Sequence, residues 1–319
     1  MWGFAGVKAD VDITGSVQWL DPENKSKDAD FEDFIKIAPG VSAMAGAAGT
    51  LKLEVTYNNG KFIMIMQASL CLGVGARGKI ACETNALLVG KFICWVGYQL
   101  YHANYEFLAF ISTEAFKALQ DIQFLMIQSG KEAVDFTHRS YEQISDQVRN
   151  VLSMMDKTEA RDALATRILN NGSKLRNATP ETKGMLLYQL TRHDKTDWVN
   201  RNNYQQGDAF HNRKKAVLRV LQWVQTKREW DNVFQHMHPR GNRIEGSHYL
   251  TVERFMELGY DEMDDDLNRI KQRLRTEPAR GYAVAANNSM AYEMNSEDHP
   301  QWAMAAIHPL SSMDISHVA

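Results

Sequence analysis

The chain has 319 residues, 44% of them hydrophobic, 24% charged and 10% aromatic, which supports a sizeable core and argues against global disorder or a multi-span membrane protein. Its 36 Lys and Arg against 39 Asp and Glu leave a formal charge of -3, so no cationic excess drives binding to phosphate backbones, and nucleic acid is not an expected partner. Cys71, Cys82 and Cys94 contain no CxxC pair and are odd in number, so they build neither a disulfide framework nor, alone, a four-ligand zinc site; they read as buried thiols of a reducing cytosol.

The N-terminal MWGFAGVKADVD lacks a basic stretch followed by an apolar one, so no classical export signal is read there. Twelve of the twenty glycines fall before residue 100, in a stretch where Val, Ile and Thr alternate with polar residues, which is strand and turn chemistry. A strand or hairpin is expected within FAGVKADVDITGSVQWL, ahead of a polar break from Asp21 to Asp30. APGVSAMAGAAG has little side-chain mass and suits a bulged strand or a close backbone approach. LKLEVTY places Leu51, Leu53, Val55 and Tyr57 on one face and Lys52, Glu54 and Thr56 on the other, the period of a half-buried strand. Asn59-Gly60 supplies residues that accept positive φ, so a hairpin turn is expected there, with KFIMIMQASL returning deep in the sheet.

Helical periodicity begins near Asn85, a candidate N-cap for NALLVGKFICWVGYQLYHAN, which is apolar all round except at Lys91. A second helix is expected from Ser112 or Thr113, with Ala115, Leu119, Ile122 and Met126 inward and Gly130 as its stop. A third is expected over roughly 131 to 155, carrying Val134, Tyr141, Ile144, Val148, Val151 and Met155 on one stripe. Thr179-Pro180 marks a firm helix start, since proline at the first position lacks only a donor that would be unpaired anyway. Phe210, Val217, Leu221 and Val224 form the apolar stripe of another helix, whose other face carries Arg213, Lys214, Lys215 and Arg219. Asp264 to Asp266 open a last helix with Leu267, Ile270 and Leu274 inward and the correct charge polarity for its dipole. No Lys or Arg follows Arg280, and that tail reads as extended or partly disordered.

The fold class is therefore α+β: an N-terminal glycine-rich antiparallel β region over 1–84, a mainly helical region over 85–280, and a tail over 281–319. Chemical motifs are few. Ile37 to Leu51 and Phe62 to Ala76 are uncharged but glycine-punctuated, so sheet core explains them better than a membrane span. Ala86 to Ser112 contains only Lys91 and Glu106 as charges, so it is either a buried helix or an element that enters a membrane on release. His193 with Asp194 and Asp197 has weak metal-ligand spacing, HEXXH is absent, and His236-x-His238 lies where NVFQHMHPRG reads as a helix ending at Pro239. GxSxG and GxxxxGK[ST] are missing, and Gly73-x-Gly75-x-x-Gly78 leads into KIACET, which continues like a strand and not the helix a dinucleotide site requires. The basic face from Arg213 to Arg219, extended by Lys227 and Arg228, reads either as a solvated helix surface or as a dock for an acidic partner or anionic lipid.

The order of FAGVKADVDITGSVQWLDPE, the Gly/Ala tract with a hairpin ending in SLCLGVGARGKI, LLVGKFICWVGYQLYHANYEFLAFI and TPETKGMLLYQLTRHD resembles the C-terminal region of the large VasX-type effectors of bacterial type VI secretion, over about residues 3 to 240. The resemblance implies a colicin-like antibacterial toxin that depolarises the target inner membrane. It further implies a cognate immunity protein, a secretion spike or adaptor as carrier, and no enzymatic activity or cofactor. It implies synthesis in the cytoplasm and delivery by a signal-peptide-independent route. Family members are far longer and their hydrophobic pore segments lie upstream, so Met1-Trp2-Gly3 looks like a truncated or separately encoded start. If this part touches membrane directly, residues 86 to 127 are the expected region, through Leu87, Leu88, Phe92, Ile93, Trp95, Val96, Leu100, Phe107, Leu108 and Phe110. Partner or lipid head-group contact is expected at Arg213, Lys214, Lys215 and Arg219. The alternative is a soluble protein-binding or adaptor module without membrane activity.

Overall fold

The computed structural model describes residues 16–19, 32–37, 50–58, 60–69, 78–84, 89–105, 108, 110–193, 206–246, 248–258 and 263–276. Five strands come first: β1 (Ser16–Trp19), β2 (Glu32–Ile37), β3 (Thr50–Asn58), β4 (Lys61–Ser69) and β5 (Gly78–Thr84). They form one antiparallel sheet in the order β1-β2-β5-β4-β3. The expected hairpin joins β3 to β4, with Asn58 opposite Lys61 and Tyr57 opposite Phe62. Gly60 has φ +82°, and a Cβ there would lie 2.5 Å from the Cα of His138, so both backbone conformation and packing demand glycine. β4 lies inside the sheet, between β3 and β5, as its two-sided apolar sequence requires, and KIACET is the central strand β5. β2 went unread because EDFIKI follows an acidic run. The Gly/Ala tract, Gly73, Gly75, Asn85 and everything after Thr276 lie outside the described residues.

Among the described residues nine α-helices follow. They are α1 (Val89–His102), α2 (Thr113–Ser129), α3 (Tyr141–Met154), α4 (Thr158–Asn170), α5 (Pro180–Thr191), α6 (Gln206–Leu221), α7 (Lys227–Gln235), α8 (Tyr249–Met256) and α9 (Asp264–Gln272). The chain is thus α+β, with an antiparallel sheet ahead of a mainly helical region. The inner sheet face, Val55, Tyr57, Phe62 and Met64, is buried, and Phe62 meets α1 at Phe92. Aromatic rings continue the contact from Tyr57 to Phe62 at 4.9 Å, Phe92 at 4.7 Å and Trp95 at 5.9 Å. The amide of Val55 donates to the Phe110 carbonyl at 2.5 Å and the Ser112 amide returns to the Val55 carbonyl at 2.8 Å, so the entry to α2 is stitched onto the β3 edge. α2 then packs on α3, α4 and α5, while α5 packs on both α6 and α7.

Local chemistry sets the helix ends. Ser112 caps α2 through its hydroxyl, Gly130 closes it at φ +75°, and Thr179 caps α5 ahead of Pro180. The expected third helix over 131–155 is corrected. Ala133–Phe136 is a separate 3-10 turn, Val134 is 39% exposed, and α3 begins only at Tyr141 behind a Ser140/Gln143 capping box. α9 follows the expected pattern, with Leu267, Ile270 and Leu274 buried.

Candidate functional site

A buried, charged polar cluster lies where α5 and α7 cross. Gly184 permits the crossing, because a Cβ there would fall 2.4 Å from the His236 carbonyl oxygen. Its neighbour Lys183 thereby reaches α7, with its Nζ 2.5 Å from Oε1 of Glu229 and 3.2 Å from the Trp223 carbonyl. Glu229 stands in the first turn of α7, where the Thr226 hydroxyl accepts from its amide at 3.0 Å, and its second oxygen accepts from the Gln225 amide at 2.7 Å. Tyr105 lies beside the group; burial first, then the Glu229 charge, hold its phenol well above 10.0. Asn104 and Tyr105 have φ of 50° and 55°, a strained pair for non-glycine residues. Tyr105 is fixed there by its amide to the Leu100 carbonyl at 2.7 Å and by the Asn232 side chain on its own carbonyl at 2.7 Å.

Above this foundation opens a cleft of about 690 Å³. Tyr105, Leu100, Leu108, Ile111 and Phe116 give it an apolar side, and Lys117, Glu181, Arg228, Asp231, Asn232, Gln235, His236 and Arg243 give it a polar one. Oε1 of Glu181 is 3.8 Å from Nε2 of His236, whose Nδ1 is 2.7 Å from the Gly241 carbonyl. Both charge signs, amides and an apolar side in one recess suit recognition of polypeptide side chains. Among the described residues no group of three His, Cys, Asp or Glu could hold a metal ion. Asp194 and Asp197, the partners expected for His193, lie outside them.

The cleft wall from His236 to Arg243 is tied to the helical layer by Arg240. Its guanidinium is 2.8 Å from the Ser145 hydroxyl on α3 and 3.4 Å from Asp121 on α2. Burial pushes the Asp121 carboxyl up to about 6, against the lowering effect of Arg240 and Lys117.

Of the sequence-expected contact residues, Leu100 and Leu108 line the cleft. Phe92, Ile93, Trp95, Val96, Leu100 and Leu108 are buried, Phe110 is half-buried, and Leu87, Leu88 and Phe107 lie outside the described residues. Among the described residues no helix is long and apolar enough to cross a membrane. The basic face of α6 is corrected: Arg213 and Lys214 are 0% and 1% exposed, while Lys215 and Arg219 are part-buried. Arg213 donates from Nε to the Leu190 carbonyl at 2.8 Å and from Nη2 to the Arg192 carbonyl, and its guanidinium lies 5.5 Å from the Phe210 ring and 5.3 Å from the Phe255 ring. It thus neutralises the carbonyl-rich end of α5. Lys214 donates to the Leu258 carbonyl. Sequence reading missed Lys183, Glu229, Tyr105 and the cleft, whose lining comes from segments far apart in the chain.

No protein-family model matches the chain, and neither a curated protein nor a solved structure does.

Proposed function

We propose that this chain is the C-terminal, non-enzymatic part of a type VI secreted antibacterial toxin of the membrane-depolarising kind. It acts as a folded module that covers or positions the membrane-active segment and presents a surface to a cognate immunity protein. Synthesis in the cytoplasm and delivery by a secretion spike or adaptor belong to the same proposal. Support comes from the order of segments that resembles VasX-type effectors. The observation that carries the folded-module role is the enclosure of α1, whose Phe92 and Val96 are 1% and 0% exposed. Bilayer entry by this helix would require it to leave the sheet, offset by burial of the same apolar area in lipid at about 25 cal/mol per Å². Expression directed to the periplasm tests the assignment: loss of membrane potential supports the toxin, and harmless accumulation supports a module. Dye-loaded anionic liposomes that show no leakage with purified chain between about pH 4 and about 7.5 would remove direct pore activity from it.

The second reading, a soluble protein-binding or adaptor module, is favoured by the cleft between α2, α5 and α7. Both readings place partner recognition there. Charge-reversing Arg243→Glu, at an exposed position of the cleft wall, tests it through loss of immunity-protein capture.

A further inference from the structure

The loop after α7 forms one wall of the cleft, and its fastening is unlike that of the other walls. The His236 ring bonds the Gly241 carbonyl at 2.7 Å, the Gly241 amide bonds the His238 carbonyl at 2.9 Å, and the Ile244 amide returns to the Gln235 carbonyl at 2.9 Å. Those bonds hold the loop in its own shape and join it to the end of α7. Among the described residues, Arg240 is the side chain that carries hydrogen bonds from this loop to α2 and α3. It reaches the Ser145 hydroxyl at 2.8 Å, the Ser145 carbonyl at 3.4 Å and Asp121 at 3.4 Å. Of these three acceptors only Asp121 can carry charge, and its side chain is 5% exposed.

We propose that Asp121 and Arg240 form a pH-operated latch on the 236–246 loop, which holds the cleft wall against α2 and α3 when Asp121 is ionised and frees it when Asp121 is protonated. The proposal rests on the reading of the cleft as the module's contact site, and supplies its regulation. Ionised Asp121 adds a charge–charge attraction to its contact with the Arg240 guanidinium, and protonation removes that attraction and leaves Arg240 held by the two Ser145 contacts. Asp121 shares this range with His238 on the loop, and the Asp121→Asn variant separates the two. On α2, Lys117 lowers the Asp121 carboxyl and Glu114 lies close enough to Tyr141 to raise its phenol. On α3, Tyr141 is raised from 10.0, so it stays neutral in this range. On the loop, burial and then the Arg240 charge hold His238 below 6.5, so it titrates at the acid side of the ordinary histidine range. α5 faces the same turn of α2 with a neutral group, the Thr182 hydroxyl on the Gln120 carbonyl.

Amide hydrogen exchange over residues 236–246, corrected for the intrinsic pH dependence of exchange, reads the latch. Protection in the intact chain is expected to fall about fivefold, the worth of one hydrogen bond, between about pH 7.5 and about pH 5. Asp121→Asn is expected to show the low protection at both values. Arg240→Gln serves as the second variant, with the same pH-independent low protection. Equal protection of the wild-type loop at both values, or a pH dependence retained by the two variants, overturns the latch. Exchange is measured with no partner present, so a failed latch leaves the contact-site reading standing. A pH-dependent loop on a chain that captures no partner removes only the contact site.

Discussion

The ammonium of Lys183 lies 2.5 Å from a carboxylate oxygen of Glu229, and both side chains are sealed from solvent at 1% and 0% exposure. A charge pair taken out of water gains little net stability over apolar residues of the same volume, yet removal of one member strands the other. Lys183→Met is therefore expected to destabilise the fold by about 3 to 5 kcal/mol, and Glu229→Leu by a similar amount. The double variant Lys183→Met/Glu229→Leu should recover part of that loss. Denaturant midpoints on the three proteins decide it, and a double variant no better than the sum of the singles would show that the pair is not a closed unit.

Gly184 separates a propensity effect from a packing effect. Alanine in a helix interior is ordinarily better than glycine by about 1 kcal/mol. At Gly184 the added carbon meets backbone, with His236 atoms at 2.4 and 2.6 Å and the Val233 carbonyl at 2.8 Å, so α5 and α7 would have to part. Gly184→Ala is expected to destabilise by at least about 2 kcal/mol in spite of its propensity gain. Gly90 on α1 has nothing within 4 Å of an added Cβ, so Gly90→Ala should be neutral or stabilising by up to about 1 kcal/mol. Thermal melts of both variants check the contrast, and similar shifts for the two would contradict it.

Arg213 and Lys215 test whether the basic stripe of α6 is surface or structure. Arg213→Met removes hydrogen bonds to the Leu190 and Arg192 carbonyls and leaves the Leu190 acceptor buried and unpaired, which is expected to cost about 2 to 4 kcal/mol. Lys215→Ala, at a part-exposed position, is expected to stay within about 0.5 kcal/mol. If instead Arg213→Met unfolds at the wild-type midpoint and loses anionic-liposome binding, the stripe is a contact surface and its burial is misjudged.

Sequence legibility followed the range of the chemistry. The turn at Gly60, the Ser112 cap, the Gly130 stop and the Thr179-Pro180 start are decided within four residues, and each was readable. The break before α3 was readable too, because Ser140 and Gln143 spell a capping box, but the apolar stripe running through Val134 concealed it. α4 escaped because its inward face is Arg161, Leu164, Ala165 and Ile168, and an arginine at a stripe position reads as surface. Arg161 stays inside because it donates to the Met155 and Asp156 carbonyls at 2.9 and 3.0 Å, behind the end of the preceding helix. Arg213 misled for the same reason at the end of α5. The cleft and the Lys183–Glu229 pair join residues 46 or more positions apart, and neither periodicity nor any short motif encodes such a meeting.

Asp121 makes a pH prediction whose global and local signs differ. Its carboxyl is raised from 3.8 to about 6, with burial the largest cause, so the folded state binds this proton more tightly than the unfolded state does. Its contribution to stability is then fully present below about pH 3.8 and is lost as pH rises through about 6. The shift corresponds to about 3 kcal/mol at most. Unfolding free energies of wild type and Asp121→Asn, compared from about pH 4 to about pH 7.5, isolate this from the other carboxylates, whose pairs weaken in acid. The wild type should gain on the variant as pH falls, while its 236–246 loop exchanges faster. Acid denaturation moves both quantities toward unfolding, whereas a latch separates them. A wild type that loses ground to Asp121→Asn on acidification would mean that Arg240 outweighs burial at this carboxylate, and that the group is an ordinary stabilising salt bridge.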